Sequence, residues 1–171
     1  MKDNIALIGF MGSGKSTVGR QLAKALEMKF VDIDRLITIR EGMGIPEIFK
    51  EKGEAYFRRL ENLIVEEESR DNNVVISTGG GVIIDNANIK NLKTTSFVVY
   101  LDCTLECVYT RVKRRKNRPL LNVDDMLNVI TDLHNKREKL YRISCDYSVY
   151  IDDDSTIYET VEDIKRKYIE S

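Results

Sequence analysis

The chain has 171 residues, a usual length for one domain, so we expect a single domain over residues 1–171. Its 27 lysines and arginines balance 28 aspartates and glutamates, which excludes a general nucleic-acid binder because such proteins carry a basic excess. Hydrophobic residues make up 42% and charged residues 32%, so the composition excludes a disordered or collagen-like chain. No apolar run approaches the roughly 20 residues that cross a bilayer, and we expect a cytoplasmic protein with no membrane partner.

Cysteine and histidine are scarce. Cys103, Cys107 and Cys145 are too few for a secreted disulfide framework, so we expect buried thiols in a reducing compartment. His134 is the single histidine of the sequence, which excludes a histidine-based metal cluster and a Ser-His or Cys-His catalytic pair.

Short apolar runs alternate with segments of helical periodicity along the chain. The predicted strands are Ile5–Ile8, Phe30–Val31, Val74–Ile76, Phe97–Leu101 and Tyr147–Ile151. The predicted helices are Lys15–Leu26, one capped by Asp34, one with Pro46 in its first turn, Glu54–Ser69, one opened by Asp85, Thr104–Arg115, Asp124–Tyr141 and one capped by Ser155 or Thr156. This alternation predicts a parallel sheet with helices on both faces.

Two segments exceed what the connections of such a fold require. Three predicted helices separate the second strand from the third, and the segment at about 113–123 is long and polar. We expect both to be insertions over a binding face, the first at about 33–61.

The segment Gly9–Thr17 reads GFMGSGKST and fits the pattern G-x-x-x-x-G-K-[ST] between a predicted strand and a predicted helix. Glycines let successive backbone N–H groups point at phosphate oxygens, and the helix adds the positive end of its dipole. Lys15 would reach the β- and γ-phosphates, and Ser16 would bind Mg²⁺. This context favours a phosphate-binding loop over an accidental glycine-rich turn, with ATP contacts from Gly12, Ser13, Gly14, Lys15, Ser16 and Thr17.

Acidic residues follow two predicted strands. Asp32 and Asp34 lie at the edge where open α/β sheets bind ligands, which favours a catalytic role over a pair of helix caps. Asp102 has the position of a magnesium-binding aspartate, but a helix cap before Thr104 is the favoured interpretation.

A GTPase is disfavoured, because its guanine-binding motif reads Asn-Lys-x-Asp and the one Asn-Lys pair of this sequence does not continue in that way.

Charged residues share one face of the predicted helix Glu54–Ser69. Glu54, Arg58 and Glu61 lie at spacings of four and three residues. Two interpretations fit the pattern equally well. The three residues are either a solvated row of ion pairs or a guanidinium that two carboxylates position to bind an anionic substrate.

Glycines and cations mark two further segments. A triplet of glycines, Gly79, Gly80 and Gly81, follows a buried strand and predicts either a tight turn or exposed N–H groups that bind a ligand's oxygens.

Six cations lie within the eight residues 111–118. A nucleic-acid patch is disfavoured there because no aromatic residues are interleaved, and a basic flap over phosphates is favoured over a solvated helix end.

Taken together, these motifs resemble the shikimate kinase family over nearly the whole chain. The phosphate-binding loop alone is common to a superfamily, but its combination with the other motifs is far more specific. The motifs are GFMGSGKST, Asp32-Ile33-Asp34, Phe57-Arg58 with Glu61, Gly79-Gly80-Gly81, Arg118-Pro119-Leu120-Leu121, and Arg137 before Leu140-Tyr141.

The resemblance implies a three-layer α/β/α fold with a five-stranded parallel sheet of the P-loop kinase type. The insertion at about 33–61 would bind substrate, and the segment at about 113–123 would be a lid. The implied reaction transfers the γ-phosphoryl group of ATP to the 3-hydroxyl of shikimate, with Mg²⁺ as cofactor. ATP and shikimate would be the partners of a monomer.

The resemblance also implies roles for single residues. Asp34 would take the 3-hydroxyl, while Arg58, Arg137 and the glycines Gly79, Gly80 and Gly81 would hold shikimate. Asp32 would serve Mg²⁺ through water together with Ser16. The nucleotide would meet Arg118 at its phosphates and Arg111 near adenine.

Two other functions remain open at this point. One is another small-molecule kinase with the same loop, such as a gluconate kinase. The other is a nucleotide-binding regulatory module without catalysis, which the presence of Lys15, Ser16, Asp34 and Arg118 disfavours.

Overall fold

A five-stranded parallel sheet forms the centre of the computed structural model, which describes residues 2–113 and 126–171. The strands are β1 (Asn4–Ile8), β2 (Lys29–Asp32), β3 (Val74–Ser77), β4 (Ser96–Cys103) and β5 (Tyr147–Ile151), and their order across the sheet is β2-β3-β1-β4-β5. The helices are α1 (Lys15–Leu26), α2 (Ile33–Glu41), α3 (Ile45–Lys52), α4 (Glu54–Ser69), α5 (Asn86–Thr95), α6 (Leu105–Lys113), α7 (Met126–Ser144) and α8 (Ile157–Ile169). This arrangement confirms the predicted three-layer α/β/α fold.

Strand β1 lies in the middle of the sheet and is completely buried. It pairs with β3 on one side and with β4 on the other, so that Ala6 lies beside Ile76 and Val98. Burial on both faces explains why residues 5–8 of the strand form a continuous apolar run and not an alternating one.

The carboxyl ends of β1 and β3 are joined directly. The backbone N–H and the hydroxyl of Thr78 both donate to the carbonyl of Leu7, at 3.2 and 2.9 Å. The loop after β1 and the glycine turn after β3 therefore begin side by side, at the edge of the sheet where ligands of such folds bind.

Most of the predicted helix boundaries are confirmed. Asp85 caps α5, and Thr156 caps α8 in a capping box with Glu159. The helices α2, α3 and α4 lie between β2 and β3, as the three predicted helical pieces require. None of the helices in the described ranges is long and apolar enough to span a membrane.

Two predicted caps are wrong. Asp32, and not Asp34, caps α2, because its carboxylate accepts from the N–H of Arg35 while Asp34 lies within the first turn. Asp102 does not cap α6, since the Thr104 hydroxyl accepts from the N–H of Cys107 there. The Asp102 carboxylate instead forms an ion pair with Arg142 on α7, at 2.8 Å. In both cases the sequence contains two suitable acceptors close together, and only the backbone path decides which one faces the helix end.

Candidate active site

The loop between β1 and α1 curls around the N-terminus of α1. Gly12 and Gly14 have φ angles of +77° and +95°, a backbone conformation that residues other than glycine rarely adopt. Gly14 occupies the N-cap position, and no side-chain hydrogen bond caps this helix end. The positive end of the α1 dipole therefore faces the loop, as an anion-binding site requires.

Lys15 is buried beneath this loop, with 8% of its surface exposed. Its ammonium group donates to the carbonyls of Gly9 and Phe10, at 2.8 and 2.9 Å. These bonds hold the charge at the wall of a cavity of about 80 Å³, which we call the loop cavity. The loop cavity is lined by Met11, Gly12, Gly14, Lys15, Ser16, Thr17, Asp34, Thr78 and Gly80.

Ser16 and Asp32 bring two side-chain oxygen groups together beside the loop cavity. The Ser16 hydroxyl donates to the Asp32 carboxylate at 2.6 Å, so the first turn of α1 meets the end of β2. Hydroxyl and carboxylate oxygens are the hard ligands that Mg²⁺ prefers, and Mg²⁺ usually takes one or two protein ligands beside phosphate and water. The pair fits the predicted metal site. The described residues contain no group of three acidic, cysteine or histidine side chains that could hold a metal ion.

The predicted ion pairs of α4 are present. The Arg58 guanidinium lies 2.7 Å from a Glu61 oxygen and 3.3 Å from a Glu54 oxygen, and it lies over the Phe57 ring at 5.1 Å. Three neighbours therefore fix its direction. The side chain of Arg58 is 20% exposed, whereas that of Glu61 is buried. The buried carboxylate therefore holds a guanidinium that a ligand can still reach.

The glycines after β3 make room for these charged side chains. A Cβ atom at Gly79 would lie 2.7 Å from Asp34 Oδ1 and 2.9 Å from Glu61 Oε1. A Cβ atom at Gly81 would lie 2.5 Å from both Nη atoms of Arg58. The triplet is both a turn, which leads into the 3₁₀ turn Val82–Ile84, and a wall of the site.

Glu61 is the buried carboxyl group of this cluster. Burial raises the pKa of its carboxyl above the ordinary value, Arg58 opposes the rise, and the neighbouring Asp34 adds to it. Its Oε2 atom accepts from Arg58, whereas Oε1 is buried without a hydrogen-bond partner among the described residues.

A second cavity, of about 580 Å³, opens between α4, the glycine turn and α7, and we call it the helix-side cavity. Its charged wall contains Arg58 on α4 and Arg137 on α7. An Nη1 atom of Arg137 donates to the Gly80 carbonyl at 3.4 Å. The wall also contains carboxylates, from Asp34, Glu54 and Glu61. The rest of it combines apolar side chains with exposed charged ones, namely Met11, Ile45, Phe49, Phe57, Val129 and Leu133 with Asp132 and Lys136. The two guanidinium groups suit an anionic group on a small ligand.

Asp34 lies where the two cavities meet. Together with Met11 and Gly80, it lines both the loop cavity and the helix-side cavity. One carboxylate is therefore accessible from the phosphate-binding loop and from the cavity that contains the two arginines.

A third cavity, of about 320 Å³, adjoins the loop on the side of β5, and we call it the β5-side cavity. Arg111 lines it, and its Nη1 atom lies 3.5 and 3.4 Å from the carbonyls of Gly12 and Ser13. The other lining residues are Gly14, Thr17, Val18, Ile151, Ser155, Thr156, Ile157 and Thr160. A mostly apolar slot beside a phosphate-binding loop suits the base of a nucleotide.

The structure thus brings together the predicted site residues that it describes. Arg118, with the rest of the predicted lid at about 113–123 beyond Lys113, lies outside the described residues. Four polar residues line these cavities although the sequence does not predict them as site residues, namely Asp132 and Lys136 on α7 and Ser155 and Thr156 between β5 and α8. Their spacing gives no signal, because each is typical of an amphipathic helix or a helix cap.

Comparisons with known proteins agree with this geometry. The family model described as shikimate kinase matches residues 11–169. The chain is 42% identical over 166 residues to the shikimate kinase of Caldanaerobacter subterraneus subsp. tengcongensis, covering 97% of this chain and 96% of the relative. It superposes with a TM-score of 0.93 and 36% identity on shikimate kinase from Acinetobacter baumannii in complex with shikimate, covering 99% and 94% of the two chains. The corresponding values for the enzyme from Aquifex aeolicus are a TM-score of 0.80, 38% identity, and 96% and 95%.

Proposed function

The chain belongs to the shikimate kinase family, and we propose on that basis that it transfers the γ-phosphoryl group of ATP to the 3-hydroxyl of shikimate. The products are shikimate 3-phosphate and ADP, in a step toward chorismate and the aromatic amino acids. In this reaction the hydroxyl oxygen bonds to the γ-phosphorus, the bond from that phosphorus to ADP breaks, and the hydroxyl proton leaves.

The position of Asp34 is the observation that carries the proposal. Asp34 lines both the loop cavity and the helix-side cavity, so a hydroxyl that it binds in the helix-side cavity faces the phosphates in the loop cavity. Phosphoryl transfer depends on in-line positioning and on charge neutralisation more than on covalent chemistry. Asp34 orients the 3-hydroxyl and is placed to accept its proton.

The helix-side cavity is the proposed site for shikimate. Arg58 and Arg137 bind its carboxylate, because guanidinium forks match carboxylate geometry. Gly79, Gly80 and Gly81 let the substrate approach the backbone of the turn. The helices α2, α3 and α4 act as the substrate-binding insertion, which agrees with Arg58 and Phe57 facing this cavity.

The loop cavity and the β5-side cavity together are the proposed site for ATP. The loop residues Gly12 to Thr17 bind the phosphates, and Lys15 neutralises negative charge on the β- and γ-phosphates. Arg111 lies beside the adenine. We assign Arg118 to the phosphates on the family motif Arg118-Pro119-Leu120-Leu121 alone.

Ser16 and Asp32 would hold Mg²⁺, Ser16 directly and Asp32 through water. A bound Mg²⁺ would supply positive charge beside the phosphates of ATP. We further propose that the protein acts in the cytoplasm as a monomer, with the two small molecules as its ligands.

A coupled assay of ADP release tests the proposal. The purified protein is supplied with ATP, MgCl₂ and a panel of hydroxy acids that includes shikimate and gluconate. Release of ADP with shikimate at a far higher kcat/KM than with the other acids supports the function. A preference for gluconate indicates another small-molecule kinase, and nucleotide binding without turnover on any acid indicates a regulatory module. A Lys15→Met variant controls for contaminating kinases.

A further inference from the structure

Tyr141 on α7 is a buried aromatic residue whose hydroxyl contacts the candidate site. Its hydroxyl donates to the Gly80 carbonyl at 2.5 Å, and its ring is completely buried. The same carbonyl accepts from Arg137, which precedes Tyr141 by one helical turn on the same face of α7. One backbone oxygen thus receives both a neutral donor and a charged one.

Gly80 connects the two sides of the proposed active site. It lines both the loop cavity and the helix-side cavity, and a Cβ atom there would lie 3.2 Å from the Met11 N atom of the phosphate-binding loop. The direction of the Gly80 carbonyl therefore affects the substrate side of the site and its boundary with the loop.

The ring of Tyr141 is held in one orientation. It stacks on Tyr100 of β4, with ring centroids 5.1 Å apart and an angle of 13° between the planes. Burial raises the pKa of the Tyr141 hydroxyl, so it remains a protonated donor throughout the neutral range. The hydrogen bond to Gly80 is consequently independent of pH wherever the enzyme would work.

We propose that Tyr141 is a positioning residue for the acceptor substrate. Its hydroxyl makes the shorter of the two hydrogen bonds to the Gly80 carbonyl, 2.5 Å against 3.4 Å. The guanidinium of Arg137 can therefore turn to the substrate carboxylate without leaving that carbonyl unsatisfied. The hydroxyl also fixes the direction of the Gly80–Gly81 peptide beside Arg58. The inference rests on the proposed function, and it adds a residue that does not itself line the helix-side cavity.

Removal of the hydroxyl should affect the acceptor and not the nucleotide. In a Tyr141→Phe variant, Arg137 is the one described donor that remains at the Gly80 carbonyl, and binding of the substrate carboxylate would draw it away. The loss of an acceptor's last partner on binding is costly, so we expect the KM for shikimate to rise about tenfold. The KM for ATP and kcat should stay within about twofold of the parent, because the loop residues and Asp34 are unchanged.

The matched control is Tyr100→Phe. It removes a hydroxyl from the other ring of the same stack, and within the described residues that hydroxyl makes no hydrogen bond to the glycine turn. We expect its KM for shikimate to equal that of the parent. An unchanged KM in Tyr141→Phe, or equal rises in both variants, would overturn the proposal.

A double-mutant cycle with Arg137→Ala separates positioning from a general structural role. Dissociation constants for shikimate are measured by calorimetry in the parent, in the two single variants and in the double variant. If Tyr141 acts by freeing Arg137, the effect of Tyr141→Phe should largely disappear when Arg137 is absent. Additive effects would refute this route. If the parent phosphorylates another carboxylic acid and not shikimate, the proposed function fails while the same cycle on that acid still decides the role of Tyr141.

Discussion

Asp34 and Glu61 direct one carboxylate oxygen each at the same point, the position that a side chain on residue 79 would occupy. The oxygens lie 2.7 and 2.9 Å from that point, so only glycine at residue 79 lets both carboxylates remain in place. The two acids differ in their surroundings: Glu61 is buried, whereas Asp34 lines two cavities. Different environments favour different roles for two acids in one site.

The pH dependence of stability should reveal the buried carboxyl. Burial raises the folded-state pKa of Glu61 above its ordinary value of 4.5, so its contribution to stability is largest below pH 4.5 and decreases as the pH rises through the folded-state pKa. In Glu61→Gln this decrease is absent. We expect the free energy of unfolding of the variant, relative to the parent, to increase from pH 4 to pH 7. Urea titrations at several pH values measure it, and a difference that is constant over this range contradicts the assignment.

Asp34→Asn should lower turnover while the fold is kept. The cap of α2 is Asp32, so the substitution does not remove a helix cap. We expect kcat to fall roughly 100-fold or more, because the amide cannot accept the hydroxyl proton. Steady-state kinetics measure the effect. Asp102→Asn is the control, since Asp102 pairs with Arg142 and lines none of the three cavities. Near-normal turnover in Asp34→Asn would reject its role as a base.

Arg58→Ala should weaken shikimate binding and leave ATP binding largely intact. The loss of a charged hydrogen bond to a carboxylate costs about 1.5–3 kcal/mol, or roughly 10- to 150-fold in the dissociation constant. Arg59→Ala is the control, because Arg59 is exposed on the same helix. Calorimetric titrations with each ligand measure the effect. Equal weakening of nucleotide and shikimate binding would show that α4 does not belong to the acceptor side alone.

Gly81→Ala tests whether the glycine turn makes room for Arg58. The new methyl group would lie 2.5 Å from both Nη atoms of that guanidinium, so the side chain must move. We expect about a tenfold increase in the KM for shikimate, similar to the lower range for Arg58→Ala. Gly44→Ala is the control, because its methyl group would meet atoms only at 3.6 and 3.7 Å. A KM for shikimate that is unchanged in Gly81→Ala would show that this wall is not rigid.

Local signals account for most of what the sequence predicts correctly. The helices Lys15–Leu26 and Glu54–Ser69 and the strand Tyr147–Ile151 have the predicted bounds, because caps, glycines and periodicity are contained within each segment. The contacts that the sequence does not reveal join distant segments. Tyr141 contacts Gly80 across 61 residues, and Arg142 contacts Asp102 across 40, and both depend on how α7 crosses the sheet. Helical periodicity alone describes Tyr141 simply as an apolar-face residue.

The pairing of β1 with β3 has a consequence for the evolution and redesign of this scaffold. Neighbouring strands lie about 4.8 Å apart. The hydrogen bonds between β1 and β3 therefore fix the distance between the start of the phosphate-binding loop and the start of the glycine turn. The side chains that would recognise the acceptor come instead from α2, α4 and α7. Exchange of these helices would therefore adapt the enzyme to a different alcohol, while the position of the phosphate-binding loop relative to the glycine turn stays the same.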